Sequence, residues 1–532
     1  MGKFQLKLTW RTVCISLLII GIFFRFFNLD RKVFWYDETQ TLLRISGHTR
    51  TELVAQVFTG NPIRVSELHD RYQYPNADRN LSYTMKALAG SPEHAPGYFL
   101  MARIWLQTFG HSVTVIRALS AIVSLLSFPC IYWLCRELFA STAVAWTAVA
   151  LLAISPFQVL YAQEARQYSL WIVTILFASA ALLRALRKKT GLSWGLYAIG
   201  VAAALYVHTF SALVLVGHGI YVLLLEDWRS LSQTRSLPKQ SIAYLVASLG
   251  GVLLFAPWLW VIIQHFEKFT ENTASVGVNR PDLQIIWLLN LSRLFFDLNH
   301  GPSLLNPVLY LTAALSGYAL YFLCRDTPRR NWLFVISLIG VTGMALIVPD
   351  VLLGGRRSSI TRYVIPCFLG IQIAVAYLLT VKLAPWPGTR RTMSSNRSYP
   401  YWRGVTIALI LSGVLSCAVS SQLQVWWNKS FAKSRYNPAI AQIINQTADQ
   451  TPPTLVISDE IPGYILSLSH LLSPQVYLQL VVEPKVPIVP DGFGKKYLYR
   501  ASEVLQQGLT QQGFPSTPAY KAWLRQISLP PR

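Results

Sequence analysis

Apolar stretches close to twenty residues long recur along this chain, and each approaches the length that crosses the roughly 30 Å hydrocarbon core of a bilayer as a helix. Eleven are found, at residues 11 to 28, 113 to 135, 142 to 161, 168 to 186, 192 to 208, 210 to 226, 241 to 265, 304 to 324, 332 to 349, 363 to 383 and 404 to 424. Composition agrees, with 53% hydrophobic and 13% charged residues, too apolar for an ordinary soluble protein of several domains. The formal net charge of +23 would suit a polyanionic partner. Yet Lys and Arg fall in short clusters between the apolar runs, as anchors of membrane spans do, so no nucleic-acid partner is expected.

Orientation follows from those clusters, because cytoplasmic loops carry the excess of Lys and Arg. Arg136, then Arg184, Arg187, Lys188 and Lys189, then Arg229, Arg235 and Lys239, then Arg325, Arg329 and Arg330, then Arg390, Arg391, Arg397 and Arg403 fall on one side with the N-terminus. That side is read as the cytoplasm. Eleven crossings place the 29 to 112 loop, the 266 to 303 loop and everything after 425 outside. Lys3, Lys7 and Arg11 precede the first run without a small-residue cleavage pattern after it, so it is expected to be an uncleaved span. The six cysteines lie in or at the ends of apolar runs without metal-ligand spacing, and imply neither a disulfide nor a zinc site.

Residues 96 to 109, PGYFLMARIWLQTF, are apolar but short and carry Arg103. Counting them as a span would invert every later loop. They are expected to form a juxtamembrane helix in the outer interface, burying Trp105 and Phe109 while Arg103 reaches water. The stretch 384 to 402, rich in Pro, Arg and Ser, reads as a cytoplasmic loop. The tail from 426 to 532 loses the long apolar runs, and TLVISD (454 to 459), PGYILSLSHLL (462 to 472) and QVYLQLVV (475 to 482) read as strand, helix and strand. The expected organisation is therefore an α-helical polytopic membrane domain, 1 to 425, and a small α/β extracytoplasmic domain, 426 to 532.

Four groups of residues can carry chemistry. FWYDETQ puts Asp37 and Glu38 just beyond the first span, where partial desolvation raises the basicity of a carboxylate that takes a proton from a hydroxyl. The same pair could instead cap the following helix. YAQEARQY, 161 to 168, brings Glu164 and Arg166 to the same outer side, either as a site or as a solvated turn with its own ion pair. SPEHAPGYF offers Glu93 and His94 as two metal donors, although a lone His is more often a hydrogen-bonding residue. GGRRSSITRY stations Arg356, Arg357 and Arg362 ahead of Tyr363 on the outer side, against the positive-inside pattern. Such cations suit a phosphate through charge-assisted hydrogen bonds, or a lipid headgroup. His208 and His300 are weaker candidates.

In this order the pieces resemble the GT-C superfamily of membrane glycosyltransferases, in the branch of protein O-mannosyltransferases and lipid A aminoarabinose transferases. The likeness is carried by the acidic pair after the first span, by His94, Ala95 and Pro96 where the family has an HPP-like element, by FGHSVTVIRALSAIVSL from 109 to 125, and by SPFQVLYAQEARQYSL from 155 to 170. Beyond residue 190 the topology and the TRY element, 361 to 363, continue it. Ala95 departs from the family's first proline. The resemblance implies a GT-C fold and a polyprenyl-phosphate sugar as donor, with a lipid, polysaccharide or protein hydroxyl as acceptor. It makes Asp37 the base, Glu164 a second acid, and Arg166, Arg356, Arg357 and Arg362 the holders of the departing phosphate. No cofactor is required, and a divalent cation is optional, with His94 and Glu93 or Glu164 as the place to look. A multi-pass protein of the plasma (inner) membrane is implied. The rival from another class is a transporter or flippase of lipid-linked sugars, which would keep polar residues near the bilayer midplane rather than at one interface.

Overall fold

An apolar run in lipid must satisfy every backbone N–H and C=O within itself, and each of the eleven expected runs is helical. The computed structural model describes residues 10–226, 239–277, 280–383, 399–429 and 431–528. Lys3, Lys7, Arg229, Arg235, Arg390, Arg391 and Arg397 lie outside the described residues. Among the described residues seven helices are long and apolar enough to cross a membrane, and the bent pair Thr142–Ala153 and Pro156–Ala162 makes an eighth if it counts as one span. The three other expected spans are the helices Trp10–Phe26, Gly191–Val207 and Ser211–Leu225, of 17, 17 and 15 residues. They are short of the roughly 20 residues a bilayer core asks for, so the expected count of eleven exceeds what length and apolarity support. Residues 399 to 402, expected in a loop, open the Tyr399–Gln422 helix.

The chain divides into two compact units. The first holds Met1–Phe27, Ser91–Tyr98 and Ala118–Ser421, and with them the membrane helices. Its distinctive feature is the 62° bend between Ala153 and Pro156. Proline has no N–H and cannot continue the ladder, so carbonyls at the end of the first half are left over. Arg25 takes them up: its Nη1 donates to Ala153 O at 2.7 Å and its Nη2 to Leu152 O at 3.1 Å. A broken helix is tolerated at membrane depth only when such groups find partners inside the protein, and Arg25 is 1% exposed.

The second unit holds Asn28–Gly90, Phe99–Arg117 and Gln422–Arg532. A boundary at 425 was expected from composition; the unit begins its last segment close to there but also takes in most of the 29 to 112 loop. The reason is a strand. β1 (Thr59–Arg64) pairs antiparallel with β3 (Tyr477–Val481), which lies parallel to β2 (Leu455–Ser458). β4 (Lys496–Tyr499) lies parallel to β2 on its other side, and β6 (Leu524–Ile527) and β5 (Ser516–Tyr520) complete the order β1-β3-β2-β4-β6-β5. Successive side chains alternate between two cores: Leu455 and Ile457 join Leu498, Leu505 and Leu509, whereas Val456 joins Tyr497, Tyr499, Leu43, Leu53, Val57 and Leu68. The second core is thus closed by helices of the first loop. The expected strand, helix and strand of the tail are β2, the Pro462–Ser469 helix and β3.

The segment 96 to 109 is helical from Gly97 to Phe109, as expected for a juxtamembrane helix. Its charge behaves otherwise than expected. Arg103 does not reach water; it is 3% exposed and donates to Ile45 O at 2.6 Å, to Thr84 Oγ1 at 2.9 Å and to Arg79 O. Phe109 is exposed on the protein, its ring 4.1 Å from that of Trp105, as a residue that enters the interface would be. A guanidinium can leave water where fixed carbonyl partners replace its hydration.

Candidate functional site

In the first unit the helix break decides where Glu164 and Arg166 go. The Pro156–Ala162 half ends in a turn over 163 to 167, and the Tyr168–Lys188 helix follows. Gln163 Nε2 donates to Phe24 O and Phe27 O, each at 2.8 Å, and Ser169 Oγ donates to Tyr161 O at 2.9 Å. The whole turn is buried, with Glu164 at 0% and Arg166 at 3% exposure, which removes the solvated-turn alternative. Arg166 and Arg362 each bring their guanidinium over the ring of Tyr168, at 5.9 and 5.7 Å from its centroid. Glu164, Arg293 and Arg362 act electrostatically on Tyr161, and Arg166 and Arg362 on His208. His208 stacks on Trp171 at 4.1 Å, and Tyr363 meets Phe210 edge-on at 4.9 Å.

Arg362 is held there by a network that hydropathy does not reveal. Asn290, on the Leu283–Ser292 helix, donates to Ser359 O at 2.9 Å, and its Oδ1 accepts from Thr361 Oγ1 and from Arg293 Nη1, each at 2.9 Å. Trp287 Nε1 donates to Ser358 Oγ at 3.0 Å. Gly354 and Gly355 take φ of 76° and 143°, where a side chain would be strained, so the loop can turn sharply before its arginines. Arg293 and Tyr168, unremarked in the sequence, thus belong to the same group as Glu164, Arg166, Arg362 and Tyr363.

The other predicted residues fare differently. Arg357 pairs with the buried Asp350 at 3.2 Å, and the second oxygen of Asp350 accepts from Ser358 N at 2.6 Å and Ser358 Oγ at 2.7 Å. The charge of Arg357 is compensated by a carboxylate in the last turn of the preceding Arg329–Leu352 helix. Arg356 is half-buried, and its Nε has no hydrogen-bond partner among the described residues. Glu93 and His94 stand 3.6 Å apart, with Asn272 Nδ2 donating to Glu93 at 3.1 Å. Among the described residues no group of three or more His, Cys, Asp or Glu could hold a metal ion, and this pair supplies only two of the three protein ligands a catalytic metal usually takes. His300 lies against Phe296 at 5.9 Å.

In the second unit, Asp37 and Glu38 occupy the first turn of the Tyr36–Ile45 helix. Asp37 is half-buried. Glu38 is fully buried, and its carboxylate accepts from Arg117 Nε at 2.8 Å, from Arg117 Nη2 at 2.7 Å and from Lys429 Nζ at 3.0 Å. Trp35 N also points to it at 3.4 Å, the reciprocal half of a helix cap. Glu38 was expected beside Asp37 as a catalytic acid; its environment is that of a structural ion pair. Neither Arg117 nor Lys429 carries a local signal that would have singled it out.

Residues 93–261 match the family model of dolichyl-phosphate-mannose-protein mannosyltransferases. No curated protein sequence matches the chain. Among solved structures, the fold is similar to ArnT from Cupriavidus metallidurans bound to undecaprenyl phosphate, at 13% identity and a TM-score of 0.53, over 98% of each chain. The same enzyme in its apo state gives 12% identity and 0.53, over 97% of each chain. The oligosaccharyltransferase of Archaeoglobus fulgidus in the apo form gives 14% identity and 0.50, over 91% of this chain and 65% of that one. At such identities the structures speak for the fold, and the matched segment contains the Glu93 to Pro96 element and the buried 161 to 168 turn. Over residues 93–261 the chain is thus similar to the dolichyl-phosphate-mannose-protein mannosyltransferases, and over nearly its whole length its fold is similar to that of ArnT.

Proposed function

We propose that this protein transfers a sugar from a polyprenyl-phosphate carrier to an acceptor hydroxyl on the extracytoplasmic side of the plasma membrane, with inversion at the anomeric carbon. The acceptor oxygen bonds to the anomeric carbon as the bond from that carbon to the phosphate oxygen breaks. Asp37 takes the hydroxyl proton, and the polyprenyl phosphate leaves with the electron pair. Arg166 and Arg362 neutralise the charge that collects on the leaving phosphate, and Arg293 and Tyr363 complete the polar surface about it. The observation that carries this reading is the convergence of Arg166 and Arg362 on Tyr168, beside the buried Glu164. Guanidinium groups bind phosphate through charge-assisted, often bidentate hydrogen bonds, and a lipid phosphate can approach such a group sideways from the bilayer. The undecaprenyl phosphate in the ArnT structure supports a ligand of that class by analogy of fold. The charge pattern of the loops supports a cytoplasmic N-terminus and an extracytoplasmic C-terminus.

The test is transfer or hydrolysis of radiolabelled polyprenyl-phosphate sugars by the purified protein in lipid. Arg166→Ala and Arg362→Ala are each expected to lower turnover by roughly 10²-fold or more, and Asp37→Asn to abolish transfer. Unchanged turnover in Asp37→Asn would remove the base from the scheme, and unchanged turnover in both arginine variants would remove the phosphate site. Movement of the lipid across the bilayer with its sugar bond intact would favour a flippase.

A further inference from the structure

The 28 to 35 connector has no regular secondary structure, yet it is tied down at nearly every step. Arg117, 0% exposed, donates from Nη1 to Leu29 O at 2.7 Å and Lys32 O at 2.9 Å, and from Nη2 to Val33 O at 3.0 Å. Its remaining reach ends on both oxygens of Glu38. The Phe34 ring lies against the same guanidinium at 5.3 Å. From the other end of the chain, Gln424 O accepts from Val33 N at 2.8 Å and Gln422 O accepts from Arg31 Nε at 3.2 Å. Five residues on from Gln424, Lys429 returns to Glu38 with its ammonium buried.

A buried carboxylate facing two buried cations adds little net stability, because desolvation offsets most of the attraction. What such a group supplies is direction. The guanidinium fork admits one orientation of the carboxylate, and Glu38 sits one residue after Asp37 on the first turn of a helix. We infer that Arg117 and Lys429 are positioning residues, which act through Glu38 to fix that turn and so hold Asp37 where a proton is to be taken. The inference rests on Asp37 being the base of the proposed transfer. It also gives Glu38 a role of its own, in which the second carboxylate of the pair orients the first and stays out of the chemistry. The Lys429 contact makes the start of the soluble tail part of the same device, although 391 residues separate it from Glu38.

The experiment uses the full chain in lipid with a radiolabelled polyprenyl-phosphate sugar. Preparations are matched for folded fraction by size exclusion and thermal unfolding. Glu38→Gln and Lys429→Met are expected to lower kcat by roughly tenfold to a hundredfold while KM for the donor stays within about threefold, since a small misplacement of a reacting group is enough for such a loss. The acid limb of the kcat profile against pH is expected to move in both. Lys429→Arg keeps the charge-assisted bond and is expected to stay within about threefold of the wild type. Wild-type kcat in Glu38→Gln and Lys429→Met overturns the inference, as does a fall in kcat matched by an equal fall in folded protein with the pH profile unmoved. Arg117→Lys, the more disruptive change, is secondary, because Lys429→Met leaves the Arg117 fork on Glu38 in place. If Asp37→Asn retains full activity, the proposed function itself fails; if it is inactive while Lys429→Met is normal, only the positioning role fails.

Discussion

Two neighbouring arginines show how the same residue type acquires different work from its partner. Arg357 and Arg362 are five residues apart, and the first ends on Asp350 whereas the second ends on Tyr168 beside Glu164 and Arg166. Asp350 is buried and accepts two hydrogen bonds from Ser358, so Asp350→Ala is expected to destabilise the protein by about 2 kcal/mol through lost charge-assisted bonds. Arg357→Ala, at the partly exposed end of that pair, is expected to cost about 1 kcal/mol or less. Donor binding should separate the two arginines: KM for a polyprenyl-phosphate sugar is expected to rise several-fold more in Arg362→Ala than in Arg357→Ala. Equal KM values would mean that both cations face the phosphate. Both arginines stand out in the sequence, since outward cations break the positive-inside pattern. Their separate roles do not, because Asp350 sits at the end of an apolar run and reads as a helix-terminal charge.

At the scale of elements, the bent Thr142–Ala153 and Pro156–Ala162 pair is the feature on which the first unit's polar group depends. Gly21 lies against the Ala153 carbonyl that Arg25 also serves, and a methyl group there would meet that oxygen well inside van der Waals contact. Gly21→Ala is therefore expected to destabilise the membrane unit by roughly 1–3 kcal/mol, although Ala is the better helix former. Thermal unfolding in detergent checks it, and a stabilised variant would show that the two helices can separate without loss. Arg25→Leu should go further, leaving the carbonyls of Leu152 and Ala153 without a donor, and should lower activity along with stability. Hydropathy announces these helices, but it runs residues 142 to 161 together as one span and misses the bend at Pro156. Arg25 was not legible either, because at the end of the first run it looks like an interfacial anchor; only a neighbour 128 residues away makes it a cap.

The whole molecule brings the first loop and the tail into one unit, which a cut at the compositional boundary would destroy. A chain ended at residue 425 loses β2 to β6 and with them the partner of β1, so Leu43, Leu53, Val57 and Leu68 lose the face of the sheet that covers them. Such a chain is expected to be cleaved by limited proteolysis between residues 36 and 90, where the intact protein resists; equal resistance would mean that the loop folds alone. The same unit is expected to weaken in acid. Burial pushes His69 down to about 4. Burial, then the charge of Arg79, pushes His48 to about 4. Burial, then His69 and Arg117, holds His470 well below its ordinary value. All three are neutral when folded and protonate in the unfolded chain below about pH 6.5, so the unfolded state binds more protons there. Stability is then complete above that pH and falls as pH drops toward 4. Amide exchange in β2, β3 and β4 followed from pH 7 to 4 reads this directly, and protection that stays constant or grows would contradict it.

The sequence by itself determined what is local and additive: helices in lipid from runs of apolar residues, a change of medium where those runs stop, two strands and a helix in the tail, and cations on a side where topology does not ask for them. Each follows from hydropathy or charge summed over a short window, a quantity that does not depend on who the neighbours are. Tertiary structure alone decided the partners. β1 contains Asn61 and Pro62, and nothing in TGNPIR foretells an edge strand whose mate begins at Tyr477. Arg103 looked like a charge bound for water and Glu38 like a partly desolvated acid of the site, and both are buried on groups far along the chain. A charge leaves water only where fixed partners replace its hydration, and those partners exist only once the chain has folded.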